Sequence, residues 1–202
     1  MQVTVIDYKA GNLTSVLKAL RHVGAEPTVI DSDTALLDSA ERIVLPGVGH
    51  FAATRRLDET GLTTAIRAAI ARGTPFLGIC VGMQWLYAGS TEAPEQRGLA
   101  HFTEQCTRFP ESNEKVPHVG WNSLEVSPNA RLLAGVHAGE HVYFTHSYRA
   151  PVTTDTAATT HYIEPFAAAV ERGNVFGVQF HPEKSGDTGL KILRNFLEIA
   201  AC

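Results

Sequence analysis

Cysteine is scarce in this chain. Cys80, Cys106 and Cys202 stand far apart in 202 residues. They are too few and too scattered for a disulfide framework, which fits a reducing compartment. Metal-binding spacings are missing as well: there is no C-x-x-C and no H-E-x-x-H. His137, His141 and His146 crowd one region, but Gly139 argues against a helix that would present the first two together. No metal and no cofactor is expected. Neither G-x-x-x-x-G-K-[ST] nor G-x-G-x-x-G occurs, which removes the usual phosphate and dinucleotide loops. The net charge is only −4 and there is no basic cluster, so nucleic acid is not an expected partner. No apolar run approaches the roughly 18 residues of a membrane span. The chain opens on the strand-like Val3–Ile6 rather than on a basic leader with a cleavage site, and a cytoplasmic location is the expectation.

What is present is an ordinary soluble composition, 44% hydrophobic and 19% charged, long enough for one α/β domain over residues 1–202. In the first half, strand-like runs alternate with helical ones. Gln2–Ile6, Pro27–Ile30, Arg42–Leu45 and Phe76–Ile79 read as strands. Between them, Leu13, Val16, Leu17 and Leu20 fall at helical spacing before Gly24, and Ala65, Ile66, Ala69 and Ile70 before Gly73. Asp31-Ser32-Asp33 offers caps for a segment reaching Ala40. That alternation predicts a mostly parallel sheet flanked by helices. The second half reads as short strands at 116–126, 142–148, 157–163, 167–171 and 175–180, an expected antiparallel extension of the sheet, and then a final helix over 188–200.

The central stretch is Gly78-Ile79-Cys80-Val81-Gly82, placed between the strand 76–79 and a helical run, Met83 to Tyr87. This is the thiol form of the G-x-S-x-G nucleophile elbow. Glycines two residues before and after remove the side chains that would clash in a sharp strand-to-helix turn, and N–H groups at a helix start favour a thiolate. A buried cysteine can equally be a small hydrophobe. What favours a nucleophile lies a hundred residues on, at His181-Pro182-Glu183. Residues two apart on an extended chain face one way, so His181 and Glu183 can stand together as base and orienting acid. Taken alone, His-Pro-Glu could be a surface turn. Pro46-Gly47-Val48-Gly49 ends the strand 42–45 on the same edge of a parallel sheet as Cys80. N–H groups near Val48 and Gly49, with that of Val81, could form an oxyanion hole; the alternative is a plain Pro-Gly turn.

In order and position, Pro46–Gly49, Gly78–Gln84 and Phe180–Glu183 resemble the class I (triad) glutamine amidotransferases over essentially the whole chain. Asp7-Tyr8 with Gly11-Asn12, Pro117–Asn122, Tyr143–Tyr148 and Gln179–Gly186 narrow the resemblance to the HisH type, the glutaminase subunits of imidazole glycerol phosphate synthase. Lys9-Ala10 stands where that family usually has smaller residues, and Val81 replaces the commoner leucine. The resemblance implies a flavodoxin-like fold and glutamine hydrolysis through a thioester on Cys80. It implies that Gly47, Gln84, His146, Ser147 and Tyr148 hold glutamine, and that ammonia passes to a (βα)8-barrel cyclase subunit (HisF-like) in a heterodimer. It also implies that Tyr8, Asn12, Trp121, Asn122, Tyr143 and Lys184 lie on or near the docking face. Core packing is the competing expectation for Trp121. Other readings remain at this stage: a glutaminase of the same class serving anthranilate or purine synthesis, a stand-alone thiol hydrolase, and a non-catalytic module.

Overall fold

A computed structural model describes residues 1–10 and 13–200. Its centre is an eight-stranded sheet in the order Glu26–Ile30, Gln2–Ile6, Ile43–Gly47, Phe76–Cys80, Val175–Val178, Glu164–Arg172, Thr156–Tyr162, Glu125–Val126. The first five strands are parallel and the last three pairings antiparallel. Counted among the parallel strands, the order is 2-1-3-4-5, one of the common doubly wound arrangements. The three middle strands, Ile43–Gly47, Phe76–Cys80 and Val175–Val178, are buried at every residue. Their continuous apolar runs reflect cover on both faces.

The covering helices follow the expected spacing. Leu13–His22 buries Val16, Ala19 and Leu20; Leu62–Ala71 buries Leu62, Ile66 and Ala69. Gly186–Glu198 buries Ile192, Leu193, Phe196 and Leu197, starting two residues before the expected helix. The segment after Asp31-Ser32-Asp33 forms only a 3-10 turn, Thr34–Leu37, capped by the Asp33 carboxylate on the Ala35 N–H.

The second half departs from a simple antiparallel extension. Val175–Val178 is a parallel neighbour of Phe76–Cys80. The run 116–126 splits at Leu124. His118–Ser123 leaves the main sheet and pairs with His141–His146 as a separate ribbon, while Glu125–Val126 joins the sheet edge. A small sheet of Gly89–Ser90, Gln105–Arg108 and Tyr148–Arg149 was not expected. The helical run after the elbow is also shorter than its pattern. Only Val81–Gln84 is helical, a single turn, so any dipole contribution there is that of one turn.

Because the five strands are parallel, residues 7–10, the loop at 48–50, the helical turn 81–84 and residues 179–183 gather at one edge of the sheet. Gly47 stands opposite Cys80, and Val178 opposite Ile79. One further step along that register brings Gln179 beside Cys80. Among the described residues no helix is long and apolar enough to cross a membrane.

Candidate active site

Cys80 sits at the tip of the elbow with φ 54° and ψ −108°, a region that non-glycine residues rarely occupy. The glycines around it are packed to contact. A Cβ on Gly78 would lie 2.4 Å from the Gly82 carbonyl oxygen, and one on Gly82 1.9 Å from that of Leu45. Nothing larger than hydrogen fits at either place, and the strained tip is held by backbone on both sides.

The Cys80 thiol opens on a cavity of about 240 Å³ lined by Val48, Gly49, Val81, Gln84, Glu92, Pro117 and the segment Thr145–Tyr148. Behind the thiol stand His181 and Glu183, both side chains almost wholly buried, with His181 Nδ1 2.9 Å from Glu183 Oε1. The carboxylate accepts a hydrogen bond from Nδ1–H, so Nε2 is the nitrogen left for the thiol, and it has no hydrogen-bond partner among the described residues. Burial works to lower the His181 pKa. The neighbouring Cys80 and Glu183 outweigh it and push the imidazole up to about 9. Gln179 Nε2 donates to Cys80 Sγ at 3.6 Å. A thiol, an imidazole beside it and a carboxylate behind form a nucleophile, base and orienter in sequence.

Most of the expected site residues converge here. Val48, Gly49, Val81, Gln84, His146, Ser147 and Tyr148 all border the Cys80 cavity. Gln84 is buried and donates through Nε2 to the Tyr148 carbonyl at 2.9 Å and to Gln179 Oε1 at 3.0 Å. His146 lines the cavity, yet both of its ring nitrogens are committed, to Tyr148 O at 2.9 Å and to His118 at 3.1 Å. Gly47 does not border the cavity. It is a close-approach glycine whose Cβ would fall 2.1 Å from the Tyr8 hydroxyl. Tyr8, expected on or near the docking face, is only 2% exposed, its hydroxyl beneath Gly47 and without a partner among the described residues. Burial, and next the Cys80 charge, push that phenol far above its ordinary range.

Asn12 lies outside the described residues. Trp121, Tyr143 and Lys184 form one surface, whereas Asn122 points to the other face of the ribbon with its amide on His118 and the His161 carbonyl. Trp121 is 56% exposed and Val119 beside it 57%, because alternate residues of the ribbon point outward. Trp121 meets Tyr143 edge-on at 6.1 Å, and the Lys184 ammonium lies 5.8 Å from the Tyr143 ring centre. Asn122 is half-buried. The surface is tied to the base: the His181 N–H donates to the Tyr143 carbonyl at 2.9 Å, and the Tyr143 N–H donates to Ser185 Oγ at 3.0 Å. Lys9, the departure from the family pattern, is in left-handed backbone with its ammonium paired to Asp7 and Asp31, each at 3.1 Å.

Two site residues escaped the sequence reading. Glu92 borders the cavity and is fixed by the Phe51 N–H at 2.8 Å; it sits in a polar turn with no periodicity to mark it. Gln179 could have been found, since it precedes His181 by two on the same extended run and so faces the same way.

The model of the glutamine amidotransferase class-I family matches residues 4–200. The HisH subunit of imidazole glycerol phosphate synthase from Caldanaerobacter subterraneus subsp. tengcongensis is 45% identical over 201 residues, covering 98% of both chains. That of Geobacillus kaustophilus is 47% identical over 97% of this chain and 96% of its own. Among solved structures, a glutamine amidotransferase crystal structure superposes with a TM-score of 0.77 at 22% identity over 97% of each chain. The structure of PurLQS from Thermotoga maritima gives 0.74 at 23% over the same shares. These distant likenesses carry the fold alone. The chain belongs to the class-I glutamine amidotransferases and, among them, to the HisH subunits of imidazole glycerol phosphate synthase.

Proposed function

We propose that this chain hydrolyses glutamine to glutamate and ammonia as the glutaminase subunit of an imidazole glycerol phosphate synthase. The observation that carries the reading is the strained Cys80 elbow opening on a cavity with the buried His181–Glu183 pair behind it. Full-length identities of 45% and 47% to HisH subunits support it.

In this reading Cys80, as thiolate, attacks the side-chain carbonyl carbon of glutamine. The oxyanion that forms is met by the Val81 N–H and by N–H groups of the Val48–Gly49 loop. His181, charged at neutral pH, delivers its proton to the departing ammonia and then takes one from the water that opens the thioester. Glu183 holds the imidazole in its tautomer. At the amino-acid end, the Glu92 carboxylate suits the α-ammonium, and Gln84, Ser147 and Tyr148 frame the rest. Both nitrogens of His146 are occupied, which makes it a wall of the pocket rather than a donor to substrate.

Ammonia set free in water would be wasted. The ammonia is handed to a (βα)8-barrel cyclase subunit, docked as a heterodimer on the face of Val119, Trp121, Tyr143 and Lys184 in the cytoplasm. The barrel uses it to form imidazole glycerol phosphate and an aminoimidazole carboxamide ribotide from a ribulosyl formimino-carboxamide nucleotide. Residues 1–202 act as one domain. Control lies at Gly49, whose φ of +97° and empty surroundings let the adjoining peptide turn over. A missing oxyanion donor lowers rate by about 10²–10³. The isolated chain should therefore hydrolyse glutamine weakly, and a barrel partner with its nucleotide should stimulate it at least about 10²-fold. Purified chain assayed for glutamate release, with and without a candidate barrel subunit, tests this. Full activity in the isolated chain, or no glutaminase activity in either state, would refute it.

A further inference from the structure

Outside the triad, a histidine pair is buried behind the glutamine pocket. His118 and His146 are both buried, 3% and 6% exposed. His118 is stacked on Tyr162 at 4.0 Å and on Phe144 at 4.8 Å, and Phe109 and Phe166 lie edge-to-face with it. An aromatic box of this kind has no need of two imidazoles for packing.

Their tautomers follow from two backbone anchors. At one end the Ser123 N–H donates to Asn122 Oδ1 at 2.8 Å. The Asn122 amide must then direct its N–H groups to the His161 carbonyl at 3.0 Å and to His118 Nε2 at 3.4 Å. Receiving at Nε2, neutral His118 carries its proton on Nδ1 and donates to His146 Nε2 at 3.1 Å. At the other end His146 Nδ1 faces the Tyr148 carbonyl at 2.9 Å, which only accepts, so His146 also carries its proton on Nδ1. Both anchors demand the same direction, and every ring nitrogen is satisfied. The Tyr148 carbonyl accepts a second hydrogen bond from Gln84 Nε2, which also donates to Gln179 Oε1. That contact turns the Gln179 N–H groups toward Cys80 Sγ.

We propose that His118 is a positioning residue for the nucleophile, fixing through His146, the Tyr148 carbonyl and Gln84 the Gln179 amide that donates to Cys80. The relay starts on the ribbon of the docking face and rests on the glutaminase reading for its purpose. It works only while both imidazoles are neutral. Burial, above all, pushes His118 down to about 4 and His146 to about 3; the other ionisable groups acting on His146 are His118 and His181.

Two measurements on the full chain decide it. Long-range ¹H–¹⁵N spectra should show His118 and His146 in the Nδ1–H form and neutral from pH 8 to pH 5. An Nε2–H form or an imidazolium at pH 7 in either ring overturns the proposal. Asn122→Asp then places an acceptor at Nε2 of His118 and reverses the demanded direction. The pH midpoint of iodoacetamide alkylation, read by mass spectrometry on the Cys80 peptide, should rise by about half a unit or more, a roughly threefold slowing near neutrality. The groups facing that thiol are His181 with Glu183, Tyr8 and Gln179. His141→Asp puts a carboxylate on the exposed side of the same ribbon and should leave the midpoint in place. An unmoved midpoint in Asn122→Asp, or equal shifts in both variants, overturns the proposal. Neither readout uses glutamine or a partner, so a chain with this relay and no glutaminase activity would sink the functional reading alone.

Discussion

Two glycine-flanked turns meet at the candidate site, and they are built differently. In the elbow, Gly78 and Gly82 are both closed in by backbone at 2.4 and 1.9 Å from where a Cβ would stand. In the neighbouring loop, Gly47 is equally closed in, against Tyr8, while Gly49 has nothing within 4 Å and φ +97°. The elbow needs glycine for space at both ends. The loop needs it for space at one end and for backbone freedom at the other. A nucleophile gains from a fixed position, whereas a control point needs two states of similar energy. The difference fits the proposed division, with a rigid turn at residues 78–82 and a control point at residues 48–49.

Substitutions can break or sharpen this contrast. Cys80→Ala should abolish glutamine hydrolysis, since no other group there can form the thioester, while the assembled enzyme still makes product from added ammonium. Glutamate release by that variant would exclude Cys80 as nucleophile. Gly82→Ala should strike the rigid turn. A backbone oxygen 1.9 Å from the new Cβ cannot yield cheaply; overpacking of about 3 kcal/mol would lower the melting temperature by about 6–12 °C. A melting temperature within a degree of wild type would mean that the elbow is not rigid.

Gly49→Val meets open space and should fold, at about 1–2 kcal/mol for the left-handed backbone. Its effect should appear in control: partner binding nearly intact, partner-dependent stimulation well below 10²-fold. Normal stimulation would remove the switch from this loop. Tyr8→Phe sets the lower limit. The hydroxyl is buried without a partner among the described residues, so its removal should raise stability by about 1 kcal/mol, and a loss of stability in chemical denaturation would reveal a bond to it.

The same contrast separates what the sequence reveals from what it hides. The parallel half is legible because its middle strands are continuous apolar runs and its helices amphipathic, as at Phe76–Cys80 and Gly186–Glu198. Cys80, His181 and Glu183 are legible because their roles demand fixed local spacings. Tyr8 is not. Aromatics serve cores and interfaces alike, and only the three-dimensional path puts its hydroxyl under Gly47. Gln84 and Trp85 continue a helical pattern that the chain abandons after Gln84, since Trp85, Leu86 and Tyr87 are buried in a loop. The ribbon 118–123 alternates like any sheet strand, and its exposed Val119 and Trp121 show that the pattern gives two faces without saying which is covered. Glu92 and the His118–His146 pair depend on contacts between distant segments, for which no periodicity exists.

The central claim, that Cys80 is the one thiol acting on glutamine, is tested most directly by a diazo-ketone glutamine analogue and mass spectrometry of the intact chain. Cys106 is wholly buried, and burial pushes its thiol far above the ordinary range. The account predicts one adduct per chain, on the peptide containing Cys80, with loss of glutaminase activity in step with labelling. Inactivation that tracks an adduct on Cys106 or Cys202 would contradict it.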